Sequence, residues 1–233
     1  MKRYPSVDAF GSLQVDAADP TRLDGVGDAY FFAGAPYRGG FGEKRSADIP
    51  DGECFAPCAA AAFYRRETFA ALGGFTEHFF CYGEDVDLGF RLRLAGGRCV
   101  QLNRAVVAHE GSGVTGRRSG FTMYHGHRNR IWTYVRNMPG PIFWPGLPFH
   151  LLVNAYLLLR FAPRNEAGPY LRALRDAVRA APREWRARRE IQAARVASVA
   201  AIARALTWSP LKLAGKRPDL RPLPQPATTE KVG

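Results

Sequence analysis

The sequence predicts an α/β domain followed by basic amphipathic helices, and three observations carry that expectation. Short apolar runs alternate with helical spacings as far as Gly111, each bounded by Gly, Pro or Asp. An apolar fraction of 46% is enough for a packed core and excludes wholesale disorder. The charge divides the chain: residues 1–115 hold 12 Lys/Arg against 15 Asp/Glu, whereas residues 116–233 hold 21 against 6. The formal +12 of the whole chain is therefore a property of its C-terminal half. That weakens a nucleic-acid reading, for which no recognised motif is present either.

Taken in order, residues 1–53 are rich in Gly, Asp and Pro around patches such as DAYFFAGAPY, which predicts short strands and loops. CAAAAFYR reads as a buried strand. RETFAALGG combines helical spacing (Phe69, Leu72) with a glycine stop. GFTEHFFCYG is an aromatic loop, and EDVDLGFRLRLAGG is the next helix, with an acidic start and a Gly96-Gly97 end. RCVQL and AVVAHE read as two short strands, GSGVTGRRSG as a loop, and FTMYHGHRNRIWTYVRNM as a helix ending before Pro139. The opening MKRYPSVDAF has no apolar h-region, which predicts no signal peptide. Cys54 and Cys58 make a C-x3-C pair without the second pair or histidines of a zinc pattern. With Cys81 and Cys99 they are expected to be buried cytosolic thiols.

Beyond Pro139, the apolar run Leu147–Leu159 is shorter than the ~20 residues of a spanning helix and contains Pro148, His150 and Asn154. An interfacial or core segment is expected. Farther on, Leu171, Leu174 and Val178 share a helical face with Arg172, Arg175 and Arg179 elsewhere, and Val199, Ile202 and Leu206 repeat the register after Pro182. Such basic amphipathic helices predict an anionic membrane surface as partner. Residues 216–233 read as a disordered tail.

The most informative stretch is FFCYGEDVDLGF, where Glu84, Asp85 and Asp87 fall within four positions. One carboxylate in a helix's first turn gains roughly 0.3–1 kcal/mol from the dipole, but three also repel one another. A bound cation would relieve the cluster, and so would a carboxyl with a raised pKa acting as a base.

The series Gly73-Gly74-Phe75, the aromatic loop, Glu84-Asp85, Asp87-Leu88 with Arg91-Leu92-Arg93, and a strand ending in His109 before Gly and Ser resembles a known family. It is similar to the C-terminal half of inverting, family 2 type glycosyltransferases of GT-A fold, nearest to bacterial rhamnosyltransferase-like enzymes. The resemblance implies a partial GT-A (nucleotide-diphospho-sugar transferase-like) domain and a sugar moved from a nucleotide-sugar donor to a saccharide or lipid-linked acceptor in cell-envelope polysaccharide synthesis. Asp85 would be the general base and Glu84 would orient it or the acceptor. Tyr82, Gly83 and Asp87 would bind the acceptor, and His109 would ligate a divalent cation, Mg or Mn, on the donor diphosphate. Arg91 is expected in a helix salt bridge, and Arg128 and Arg130 against phosphate or lipid headgroups or on a solvated face.

The family's nucleotide-binding half, with its Asp-rich metal motif after an apolar strand, has no counterpart here, since Asp85-Val86-Asp87 belongs to the helix start. The expected division is therefore an acceptor-side half over 1–140, a membrane-associating helical region over 141–215 and the tail over 216–233. A truncated chain inactive alone is expected, cytoplasmic and peripheral at the inner face of the plasma membrane. The alternative is a non-catalytic module that binds acceptor and membrane surface.

Overall fold

The computed structural model describes residues 4–46, 49–111, 116, 119–162 and 167–223. It is mixed α/β. At its centre two parallel strands, β1 (Ala9–Asp16) and β7 (Cys99–His109), lie side by side. β1 is buried along nearly its whole length, as a central strand covered on both faces requires. β2 (Leu23–Gly25) pairs antiparallel with one end of β1, and β5 (Gly52–Cys54) pairs antiparallel with β7, giving the order β2-β1-β7-β5. A separate hairpin of β3 (Asp28–Phe31) and β4 (Ala35–Arg38) turns at Gly34, whose φ is +80°.

Two strand expectations change. RCVQL and AVVAHE are one strand, because the register against β1 slips between Ser12 and Leu13 and the irregularity carries β7 through Asn103 and Arg104. CAAAAFYR is a 3₁₀ turn (Ala59–Ala61) followed by the short strand β6 (Ala62–Tyr64), which pairs with Ala9–Gly11 of β1. That strand is not buried, and Phe63 is exposed.

α1 (Arg66–Ala71) stops at Gly73 and Gly74, both at positive φ. α2 (Glu84–Leu94) stops at Gly96, φ +88°, as its end signals predict. From Val86 to Leu94 every residue of α2 is buried, arginines included. Arg91 Nε donates to Asp87 Oδ2 at 2.9 Å and its guanidinium also reaches the Leu72 and Gly74 carbonyls. Arg93 binds Glu53 and the carbonyls of Cys54 and Phe55. The helix is fixed to the strands beneath it by these bonds and by Gly89, where a Cβ would stand 2.3 Å from that of Ala56.

α3 (Gly120–Asn137) crosses the domain, with α5 (Ala167–Arg179) and α6 (Ala181–Ala193) packed on it. The expected amphipathic helices are altered here. α5 buries Tyr170, Ala173 and Ala177 and leaves Leu171 and Val178 exposed, so its bulky apolar face looks outward. α6 buries Glu184 and Arg188 against the domain, where Arg188 donates to the Val135 carbonyl. The chain then breaks: Val196 and Ala197 donate to the Leu94 carbonyl before α7 (Val199–Ala205) resumes. One core cluster joins Tyr30, Phe55 and Phe90 to Tyr134, Phe143, Ile202 and Leu206, and the expected boundary near residue 140 falls inside it.

α4 (Gly140–Phe161) runs unbroken through Pro145 and Pro148. Among the described residues it is the helix long and apolar enough to cross a membrane by length and composition. One edge, Ile142, Phe143, Gly146 and His150, is buried. The opposite face, with Trp144, Leu151, Leu152, Tyr156 and Leu159, is exposed and carries no charge before Arg160. After α8 (Pro210–Ala214), residues 216–223 are ordered rather than a loose tail. Gly40 donates to the Lys216 carbonyl at 2.6 Å, and Arg221 and Glu53 exchange backbone bonds of 2.8 and 2.9 Å along the free edge of β5. The tail from 224 onward, and most of GSGVTGRRSG, lie outside the described residues.

Candidate active site

The loop that precedes α2 is held in an unfavourable backbone shape. Phe80 and Tyr82 have φ of +67° and +64°, and Gly83, the helix N-cap, +87°. Left-handed non-glycine residues cost roughly 1–3 kcal/mol each and persist only where surrounding contacts over-determine them. Those contacts come from α3: the buried Asn129 amide donates to the Phe79, Cys81 and Tyr82 carbonyls at 2.9, 2.8 and 2.9 Å. Arg128 adds bonds to Phe79 and His78. The loop is thereby rigid, and it delivers Glu84 and Asp85 to the floor of a cleft of about 650 Å³.

Tyr82, Gly83, Glu84 and Asp85 all line this cleft, together with Phe75, Arg38, Arg130, Asp28 and Cys58. Asp85 is oriented by two backbone N–H groups, Ala59 to Oδ2 at 3.1 Å and Val86 to Oδ1 at 2.8 Å. Burial, then the adjacent Asp85 charge, pushes the Glu84 carboxyl up to about 7.

Asp28, Arg38 and Asp24 carried no sequence signal of a site, and Cys58 was expected only as a buried thiol. Asp28 opens β3, is 6% exposed, and has an oxygen, Oδ1, without a hydrogen-bond donor among the described residues. Burial pushes it up to about 8, with Asp85 adding to the shift and Arg38 opposing it. Burial and the same two carboxylates push the Cys58 thiol up to about 12. Asp28 lies 57 positions from Asp85 beside a glycine turn, so it reads locally as a turn residue; the apolar run AYFFAGA that follows it was the available sign of a strand start under a packed core.

Asp87 does not join this group. It is wholly buried, and its carboxylate is enclosed by Arg91, Thr76 (2.8 Å), Asn137 (2.7 Å) and Arg136 (3.4 Å). The acceptor-contact expectation is corrected to a scaffold position, since two residues along α2 place Asp87 on the side opposite Asp85 and facing inward. Arg128 and Arg130 are likewise buried rather than facing headgroups; Arg130 reaches the Gly34 carbonyl and Asn154.

His109 ends β7 beside a second cavity of about 780 Å³ that shares Pro36, Tyr37, Arg38 and Tyr82 with the first. Its Nδ1 meets Asp24 Oδ2 at 2.6 Å, and Arg38 contacts the same oxygen. A carboxylate on Nδ1 leaves Nε2 as the ligating nitrogen, the usual support for a metal-bound histidine. Among the described residues, however, no cluster of three ligand side chains includes His109. One imidazole does not make a Mg or Mn site.

No protein-family model matches the chain. It is similar to N-acetylglucosaminyl-diphospho-decaprenol L-rhamnosyltransferase of Mycobacterium tuberculosis, in strains CDC 1551 / Oshkosh and ATCC 25618 / H37Rv, at 35% identity over 96 residues. The matched segment is 41% of this chain and spans 30% of the length of those curated relatives. Over that segment the chain is glycosyltransferase-like.

Proposed function

We propose that this chain belongs to an inverting glycosyltransferase of family 2 type, with residues 1–140 forming the acceptor side of a GT-A domain. The observation that carries the reading is the Glu84–Asp85 pair on the cleft floor, with Asp85 fixed by two N–H groups beside a partly protonated neighbour. Asp85 takes the proton of an acceptor hydroxyl as its oxygen bonds to the anomeric carbon of a nucleotide-diphospho-sugar. The bond to the nucleotide diphosphate breaks on the opposite face, and the diphosphate leaves with that electron pair. Glu84 orients the hydroxyl, and the Tyr82 and Phe75 rings offer apolar faces to the sugar.

The name of the relatives contains a lipid-linked saccharide, N-acetylglucosaminyl-diphospho-decaprenol, which supports an acceptor of that class here. The uncharged outer face of α4 and the arginines of residues 141–215 support a place on the inner, anionic face of the plasma membrane, where envelope polysaccharide acceptors are held. The edge of α4 packed on the domain, Ile142, Phe143, Gly146 and His150, supports a chain that lies on that surface rather than across it.

The test is sugar transfer from nucleotide-sugars to lipid-linked saccharides, comparing wild type with Asp85→Asn. Loss of a general base lowers the rate by about 10²–10⁴-fold, with folding unchanged. A measurable wild-type rate that Asp85→Asn leaves unchanged would end the assignment. Acceptor binding by the chain, with no transfer even when a donor-binding partner is supplied, would leave a binding module instead.

A further inference from the structure

We propose that Asp28, Cys58 and Asp85 form a binding site for a thiophilic divalent cation of the Zn²⁺ class, set into the cleft floor and separate from any donor-diphosphate ion. One ligand atom from each lies within 4.8 Å of the other two. Zinc bonds of about 2.0–2.2 Å to oxygen and 2.3 Å to sulfur place ligand atoms somewhat closer, a change that side-chain rotation supplies. Three protein ligands with the fourth position open to a cleft is the arrangement in which zinc keeps room for water or a small ligand.

An acidic cluster alone says little, and the independent observation is Asp28. Among the described residues its Oδ1 is buried without a donor. Asp24 and Glu184 also carry one such oxygen, but each is bonded through its other oxygen, Asp24 to Arg38 and His109 and Glu184 to His78 and Arg183. Arg38, the nearby cation, directs its Nη1 to Asp24 instead. An oxygen desolvated in this way is satisfied by a metal ion. The thiol sets the choice of ion: sulfur favours zinc over Mg, Mn or Ca, which take oxygen ligands. As the sulfur–metal bond forms, the Cys58 S–H proton leaves to solvent, so uptake releases acid.

Binding stands on geometry and does not need the transferase reading. It has a consequence for it, since a filled site takes the Asp85 carboxylate away from proton transfer.

Cobalt(II) titration of the metal-free full chain tests this through the near-ultraviolet thiolate-to-cobalt charge-transfer band, with zinc as competitor. One cobalt per chain is expected, with a band that zinc abolishes. Cys58→Ser should remove the band, whereas Cys81→Ser, at the other cleft thiol, should keep it. Asp28→Asn should weaken binding by about tenfold or more, and it serves in place of Cys58→Ser should that variant not fold. Absence of the band in the wild type, or its survival in Cys58→Ser, overturns the proposal, as does unchanged affinity in Asp28→Asn.

Discussion

Replacing Asp87 by Ala separates a scaffold carboxylate from a substrate-binding one. The wild-type side chain is wholly buried and holds Arg91 at 2.9 Å, Asn137 at 2.7 Å and Thr76 at 2.8 Å, with Arg136 at 3.4 Å. Truncation leaves two buried guanidinium groups facing a void. Removing one partner of a buried ion pair costs about 3–5 kcal/mol. At roughly 2–4 °C per kcal/mol for a chain of this size, the melting temperature should fall by about 6–20 °C. Thermal melts followed by circular dichroism measure this, with KM for the acceptor taken well below the transition. Because Asp87 faces away from the cleft, KM should hold. A melt within about 2 °C of wild type, together with a raised KM, would refute the scaffold assignment.

Three further outcomes follow from the same geometry. A carboxyl raised by burial keeps a proton in the folded protein that the unfolded chain has already released, so rising pH favours unfolding between the ordinary value near 4 and the folded one. With Asp28 at about 8 and Glu84 at about 7, stability of the metal-free chain should be greatest near pH 4–5 and decline towards pH 8. Asp28→Asn should flatten that decline, and an unchanged slope in melts against pH would show that another group is responsible. Gly89→Ala places a methyl 2.3 Å from the Ala56 Cβ and should cost about 1–3 kcal/mol by denaturant unfolding; a neutral result would mean that α2 is not seated on the strand beneath it. Leu152→Glu on the outer face of α4 forfeits about 1.5–3 kcal/mol of apolar burial in a bilayer. It should weaken binding to phosphatidylserine-containing vesicles about tenfold or more, whereas equal binding would move the contact elsewhere.

Helices were legible where the chain punctuates them. Gly96 at the end of α2 and Pro139 after α3 mark boundaries that tertiary packing respects. Helix faces were less legible, because periodicity shows which residues share a side and not which side is covered. On α5 the small residues Ala173 and Ala177 allow close approach to α3, so that side is buried and Leu171 and Val178 are not. Asp87 misleads in a related way: beside Glu84 and Asp85 it reads as a third acid of an exposed first turn, yet the helical rotation sends it inward to the arginines. The floor of the cleft was half legible. Glu84 and Asp85 announce themselves by crowding, whereas Asp28 and Cys58 arrive from a hairpin and a 3₁₀ turn through long-range pairing that no local pattern encodes.

The segment that runs from Thr207 to Arg221 along β3, β4 and β5 also bears on how the protein is made. Thr207 donates to the Tyr30 carbonyl, and Arg221 closes the outer edge of β5. The strands it seals leave the ribosome before it, and the seal comes more than 150 residues later. At 5–20 residues per second that interval is on the order of 10 s, during which the Glu53 N–H and C=O on the outer edge of β5 lack their Arg221 partners. Correct assembly in the cell therefore depends on keeping that early edge apart from its neighbours until translation delivers the strap, a demand that refolding at low concentration in dilute buffer would not expose.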